Sequence, residues 1–390
     1  MAGLAAGTMF DLGLLLFASF IVGEIFERLG VESIIGYIIT GLILGPSILD
    51  FIQPGTVQGF ATIGASLVLF QAGLREENVM EIFRHRQGLQ LGLSILVGSF
   101  LFTLAALMMF GSTFLPYESF TAFLYLALGY AIVDIAVPSK MMLSKGLLRS
   151  ETGKYAVKSS VINVTVGLLA VTVLVLANSS LQSLLLQVGG IAGFAIGFYV
   201  LHEFMHKIDD YIIMMEEAEA QFALTFSLLL ILSYATEVIG LSTVLGAFFA
   251  GILVSRSEFS ESRAFQEKIQ AIGLGLFIPV FFAWFGLGLS IEGIIANIEA
   301  ATFLFVLSTV SKLGIGYAVS KLHSMDRPVM IASSLLSLDI ETLVVLLIGI
   351  DMGVFGNEIL QIFAPSVLLT TSTIVILYTA IDKVSEGEEE

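Results

Sequence analysis

Apolar stretches long enough to cross a bilayer recur along almost the whole chain, and nothing constrains its fold more. A spanning helix needs about 20 apolar residues. Such stretches occur near 8–28, 33–50, 57–74, 87–111, 119–143, 155–177, 180–203, 219–240, 242–255, 270–291, 298–321, 327–350 and 358–381. That makes about thirteen, with 242–255 short and 219–255 open to a second division. Of 390 residues, 57% are hydrophobic and 13% charged, roughly half the charged share of a soluble domain. So few charges cannot clothe a water-facing surface. The chain reads as an all-α polytopic membrane protein.

The same numbers narrow the function. Seventeen basic against 33 acidic residues give a formal charge of −16, which argues against a nucleic-acid partner. The absence of cysteine removes disulfide scaffolds, thiolate metal sites and thiol nucleophiles, and four histidines give a zinc enzyme little support. No nucleophile–base constellation stands out, so an enzyme is not expected, and no cofactor is implied. The N-terminus lacks a basic n-region, so the first helix is expected to stay rather than leave as a signal peptide. Residues 382–390 form an acidic tail.

Basic residues test the segmentation independently. Arg28, Arg75, Arg84, Arg86, Lys140, Lys145, Arg149, Lys154, Lys158, Lys207, Arg256, Arg263, Lys268, Lys321, Arg327 and Lys383 all fall in or beside odd-numbered gaps or the tail. The even-numbered gaps hold none. By the positive-inside rule the odd side is cytoplasmic, which puts the N-terminus outside and the C-terminus inside a cell membrane.

One basic residue is left over. Lys312 sits in the middle of an apolar span, where a charge costs about 2.5–3.5 kcal/mol on insertion scales and normally faces a partner or an aqueous cavity. The choice lies between a structural ion pair and an ion-pathway lysine, and the latter is favoured. Partners for it are few. Asp134 lies four residues before Pro138, which cannot donate to the Asp134 carbonyl, so the helix is expected to break there and free carbonyls for a cation. Asp339 and Glu341 lie in a second polar-interrupted span, about 200° apart if that helix is unbroken. Val133-Asp-Ile and Leu338-Asp-Ile match in helices of opposite direction, the pattern of an inverted-repeat transporter with a midplane site.

Other features have plainer readings. Asp11, Glu24 and Glu27 could line a cavity or a dimer seam, although the two glutamates are near the cytoplasmic end and within reach of water. Glu237 is a candidate entrance acid. Trp284 and the Gly41-x-x-x-Gly45 pair are read as packing.

Four stretches, Gly36–Pro46, Gly64–Leu74, Glu237–Ser255 and Phe277–Leu287, resemble motifs of the monovalent cation:proton antiporters, the Kef/Nap branch of the sodium/proton exchanger superfamily, in the family's order. The resemblance spans about residues 10–380. It implies an inverted-repeat antiporter fold with about 13 transmembrane helices and two crossed, broken helices. On this layout residues 1–56 supply dimerisation-domain helices, 57–177 the first part of a core domain, 178–269 dimerisation and linking helices, and 270–381 the second core part. A homodimer is implied as well. Asp134 falls on the first broken helix, Lys312 on the family's membrane lysine, and Glu341 on a family glutamate of the second broken helix, whereas Asp339 departs from the pattern. The larger departure is Ser159–Gly167, where the family's ion-binding acidic motif is expected and Asn163 stands with no carboxylate in the span. An amide can coordinate a cation but cannot exchange a proton near neutral pH.

The expectation is an alternating-access antiporter exchanging Na⁺ or K⁺ for protons. The cation would bind at Asp134 and Asn163, with Thr165 and freed carbonyls adding neutral oxygens. The titrating carboxylate would be relocated to Asp134, Asp339 or Glu341, and Lys312 would compensate the empty site. The alternatives are an ion-coupled organic solute carrier on the same fold, and a non-transporting or channel-like member.

Overall fold

The computed structural model describes residues 2–28, 33–74, 86–133, 150–177, 189–190, 192–194, 196–201, 218–239, 243–338 and 340–387. Asp134, Pro138 and Asp339 lie outside the described residues, as do Arg75, Arg84, Lys140, Lys145, Arg149, Lys207 and the last residues of the tail.

The described residues form helices α1 (Ala2–Arg28), α2 (Ser33–Leu44), α3 (Pro54–Leu74), α4 (Arg86–Phe114), α5 (Phe120–Ala131), α6 (Glu151–Ala177), α7 (Ala218–Val238) and α8 (Thr243–Val254). After a 3₁₀ turn come α9 (Arg263–Ile272), a π-helical turn (Gly273–Phe277), α10 (Ile278–Leu287), α11 (Ile291–Ala296), α12 (Ile298–Leu322), α13 (Pro328–Ser334), α14 (Ile340–Asp351) and α15 (Glu358–Gly387). Among the described residues, six helices are long and apolar enough to cross a membrane: 7–28, 86–114, 151–175, 219–238, 263–287 and 298–322. The 25 residues of α12 rise about 37 Å, more than the hydrocarbon thickness of about 30 Å.

Exposure follows the inverted logic of a protein solvated by lipid. Large apolar side chains stand exposed along the middle of the long helices, among them Phe17, Leu101, Met109 and Val310. Charged pairs keep to helix ends, as in Arg28 with Glu24 at 2.8 Å and Arg263 with Glu267 at 2.7 Å. Glu24 is exposed near the end of α1.

The chain divides into two compact units, each assembled from one early and one late stretch. The first comprises Met1–Glu77 and Leu176–Ile291, the second Asn78–Val175 and Glu292–Glu390. In the first unit α2 packs on α10 and α3 on α8. Gly41 explains the closeness of the first pair: a Cβ there would run into the Ala283 carbonyl, and one on Gly286 would meet the Ile38 carbonyl. The small-residue motif is thus a packing device. Trp284 joins a core of Leu15, Leu44, Ile52 and Val280, as its packing reading expects.

In the second unit α4 packs against α5 and α12, α12 against α13 and α15, and α14 against α5. Two spans here are interrupted among the described residues or at their edge. Helix α5 ends after 12 residues, and Ile132 is extended with φ −71° and ψ 145°. Helix α13 ends at Ser334, residues 335–338 are non-helical, and α14 begins at Ile340. Serine hydroxyls bond back to the α13 backbone: that of Ser333 donates to the Val329 carbonyl at 2.8 Å and that of Ser334 to Ile331 at 2.7 Å.

Candidate functional site

A helix that stops inside apolar surroundings leaves its last carbonyls without ladder partners, and an unmet buried carbonyl is costly. The end of α5 has a complete answer. The Leu128 carbonyl accepts from the Ile132 amide at 3.2 Å. The next four carbonyls each accept from a side chain on another helix. Thr342 of α14 donates to Gly129 at 2.9 Å, and Ser308 of α12 donates to Tyr130 at 2.9 Å. Asn163 of α6 donates to Ala131 at 3.3 Å, and Lys312 of α12 donates to Ile132 at 2.7 Å.

Lys312 is fully buried, and its ammonium also donates to the Ser337 carbonyl at 3.3 Å. Ile132 precedes Asp134 by two positions and Ser337 precedes Asp339 by two. The lysine therefore joins the two interrupted segments at corresponding places of the Val133-Asp-Ile and Leu338-Asp-Ile match. An ammonium at the C-terminal end of α5 also meets the negative end of that helix dipole.

Asn163 is 1% exposed and uses its amide in both senses. Its Oδ1 accepts from the Val133 amide at 2.9 Å, and its Nδ2 donates to Ala131 and, at 3.4 Å, to Gly92. Gly92 has no side chain to hold α4 away, and a Cβ there would strike the Ser159 carbonyl of α6. Asn163 and Lys312 are thereby brought together on residues 131–133, next to Asp134 in sequence. Thr165 is buried, and its hydroxyl has no hydrogen-bond partner among the described residues. Glu341, 4% exposed, opens α14 beside Thr342.

Ser308 and Thr342 were not singled out from the sequence. Ser308 lies one helical turn before Lys312, so i,i+4 spacing from the lone lysine could have found it. Thr342 had only its place next to Glu341. A further tie was equally silent: the fully buried Tyr130 hydroxyl donates to Ser366 at 3.1 Å, whose hydroxyl donates to the Ala301 carbonyl at 3.0 Å. One spacing runs against the slight support for zinc. His202-Glu-Phe-Met-His206 sets two histidines one helical turn apart, but it lies outside the described residues.

The family model for the transmembrane sodium/hydrogen exchanger matches residues 14–381. A Na⁺/H⁺ antiporter of Enterococcus hirae is 27% identical over 378 residues, covering 94% of this chain and 96% of its own. The Na⁺/H⁺-K⁺ antiporter GerN of Bacillus cereus is 24% identical over 370 residues, covering 93% of each. The solved structure of the sodium proton antiporter MjNhaP1 from Methanocaldococcus jannaschii at pH 8 shares the fold, with a TM-score of 0.68 at 17% identity over 97% of this chain and 96% of that one. Such proteins are secondary transporters, not enzymes, and they are embedded in a membrane. With its apolar helices, its interrupted spans and a family match over nearly its full length, the chain belongs to the transmembrane sodium/hydrogen exchanger family.

Proposed function

We propose that this protein exchanges a monovalent cation, Na⁺ or K⁺, for protons by alternating access. The observation that carries the reading is the Lys312 ammonium seated on Ile132 and Ser337, one carbonyl from each interrupted segment. An oxygen seat that holds one positive charge suits another, so the transported cation and the lysine take turns there. Asp134 and Asp339 flank these carbonyls in sequence, and Glu341 follows in α14. In this reading one or more of the three carries the proton in place of the carboxylate missing at Asn163, and Thr165 and the freed carbonyls add neutral oxygens. The names of the relatives, one Na⁺/H⁺ and one Na⁺/H⁺-K⁺, support the substrate class.

The second unit, which contains all these residues, is assigned as the transporting core and the first as the dimerisation side of a homodimer, which moves residues 57–77 and 270–291 out of the core expected from the sequence. Two crossed, broken helices within about thirteen spans complete the layout. The basic side is cytoplasmic, with the N-terminus outside a cell membrane.

The test is reconstitution into proteoliposomes with an entrapped pH indicator and an imposed proton gradient. Addition of Na⁺ or K⁺ should dissipate the gradient. Asp134→Asn should abolish the response, and Lys312→Gln should shift its pH dependence. Folded wild-type protein that moves no protons with either cation overturns the proposal. Cation-coupled uptake of an organic solute would then favour the solute-carrier alternative, and flux above carrier rates a channel.

A further inference from the structure

Side-chain caps on four consecutive carbonyls meet the need of a buried helix end, and each donor also ties that end to another helix. Two of the donors, Asn163 and Lys312, belong to the site as read from the sequence. The other two, Ser308 and Thr342, do not, although their bonds at 2.9 Å are shorter than either donated by the Asn163 amide nitrogen. We infer that Ser308 and Thr342 are positioning residues for cation exchange, which fix where the Ile132 carbonyl meets the Lys312 ammonium. The inference rests on the proposed exchange function.

The argument is geometric. Ile132 is extended, so its carbonyl direction depends on the turn before it and not on a helical ladder. That turn is Gly129–Ala131. Gly129 has no side chain of its own to wedge it, and its packing neighbours are Val345 and Thr342 of α14. Thr342 ties the start of the turn to α14, and Ser308 ties its middle to α12. The Tyr130 hydroxyl extends the tie through Ser366 to the Ala301 carbonyl, again in α12. Ser308 and Lys312 lie one turn apart on α12, so the helix that carries the ammonium also sets the backbone it binds.

Neutral donors on Gly129, Tyr130 and Ala131 have a second effect. They occupy the carbonyls just before Ile132 and leave Ile132 and Ser337 as the ones that meet a full positive charge. The hydroxyls therefore restrict the cation to one seat. Loss of either one loosens the seat without touching the lysine, so cation affinity falls more than turnover.

Thr342→Val removes the hydroxyl and keeps the branched shape, Ser308→Ala removes the other hydroxyl, and Thr342→Ser restores a donor. Each is reconstituted with wild type, and exchange is measured against cation concentration. Hydrogen exchange of the peptide carrying residues 129–133 is followed by mass spectrometry. Thr342→Val and Ser308→Ala should raise the apparent cation KM about 5- to 10-fold, the worth of one ordinary hydrogen bond, with maximal rate within about twofold. The Ile132 and Val133 amides should exchange faster, and Thr342→Ser should return both readouts towards wild type. Unchanged KM and unchanged amide exchange in both variants overturn the inference. So does a loss of maximal rate alone that Thr342→Ser fails to rescue, which would mark a purely structural role. If Thr342→Val is not recovered folded, Ser308→Ala carries the same decision. A wild-type protein without exchange would sink the functional reading instead, and amide exchange alone would then decide whether the caps hold the Ile132 backbone.

Discussion

Replacement of Asn163 by leucine, a side chain of similar size with no polar atom, isolates what its amide contributes. Three bonds are lost, but they are not equal. Gly92 lies inside α4, so its carbonyl keeps the ladder bond of a helical residue, and the 3.4 Å contact is a supplement. The Val133 amide at 2.9 Å and the Ala131 carbonyl at 3.3 Å become buried and unmet. Each orphan costs about 1–3 kcal/mol, with the longer bond at the low end, and burying leucine returns about 1–2 kcal/mol. The net loss is about 2 kcal/mol. For a cooperative unit of roughly two hundred residues that lowers Tm by about 4–8 °C. Thermal unfolding of the purified protein in detergent, with hydrogen exchange on residues 129–133, measures both magnitude and place. A melting point within about 1 °C of wild type and unchanged protection of Val133 would refute the reasoning. Asn163→Asp makes the sharper comparison. The carboxylate still accepts from Val133 but cannot donate to Ala131, whereas the protonated acid can. Its melting point against that of Asn163→Leu therefore isolates the Val133 bond, which the acid keeps and leucine loses.

Three further outcomes follow from other parts of the molecule. Gly41→Leu should cost about 3 kcal/mol or prevent folding, because α10 backbone occupies the space, while Gly13→Ala, facing open space, should leave melting unchanged or slightly raised. The Tyr117 hydroxyl, between α4 and α5, donates to Glu358 at 3.2 Å, and burial together with that carboxylate holds it protonated well above the ordinary tyrosine range. Its contribution is therefore complete below about pH 10 and lost as pH rises beyond; Tyr117→Phe should cost about 1 kcal/mol at neutral pH and flatten that alkaline decline in a melting series. Because the chain has no cysteine, single reporters test its orientation cleanly. Glu118→Cys should react with an impermeant maleimide on intact cells, and Ser324→Cys only after permeabilisation; the reverse pattern would invert the topology.

Lys312 was legible because a charge in an apolar run has almost no cheap explanation. The Asp134 and Asp339 match was legible too, and its register placed Ile132 and Ser337 in equivalent positions before any contact was known. The caps were not. Serine and threonine inside helices commonly bond back to their own i−4 carbonyl, as Thr40, Ser227 and Thr302 do here, so nothing in the letters marks Ser308 or Thr342 as reaching across. Asn163 stood out only against the resemblance, as a missing acid. Its use in both directions depends on α5 stopping at Ala131, three residues before the break expected at Asp134. The membrane character and family were carried by composition and four motifs, whereas the grouping of α3 with the Met1–Glu77 unit depends on helix contacts that no single segment encodes.

The interleaving of the two units governs how the chain must be made. The first can close once Ile291 has been synthesised, but the second has to wait for its late half. Lys312 reaches the Ile132 carbonyl across 180 residues and Thr342 reaches Gly129 across 213. At about 5–20 residues per second, the open end of α5 waits roughly 10–40 seconds in the membrane before these donors exist. Until then its carbonyls need a temporary host, such as water at the translocon, a neighbouring helix or an insertion chaperone. Lys312 faces the mirror problem, because its ammonium settles at mid-bilayer only where those carbonyls are ready. The pairing of Lys312 and Thr342 with the end of α5 is thus also a checkpoint in biogenesis, and variants that weaken it should first lower the yield of inserted protein.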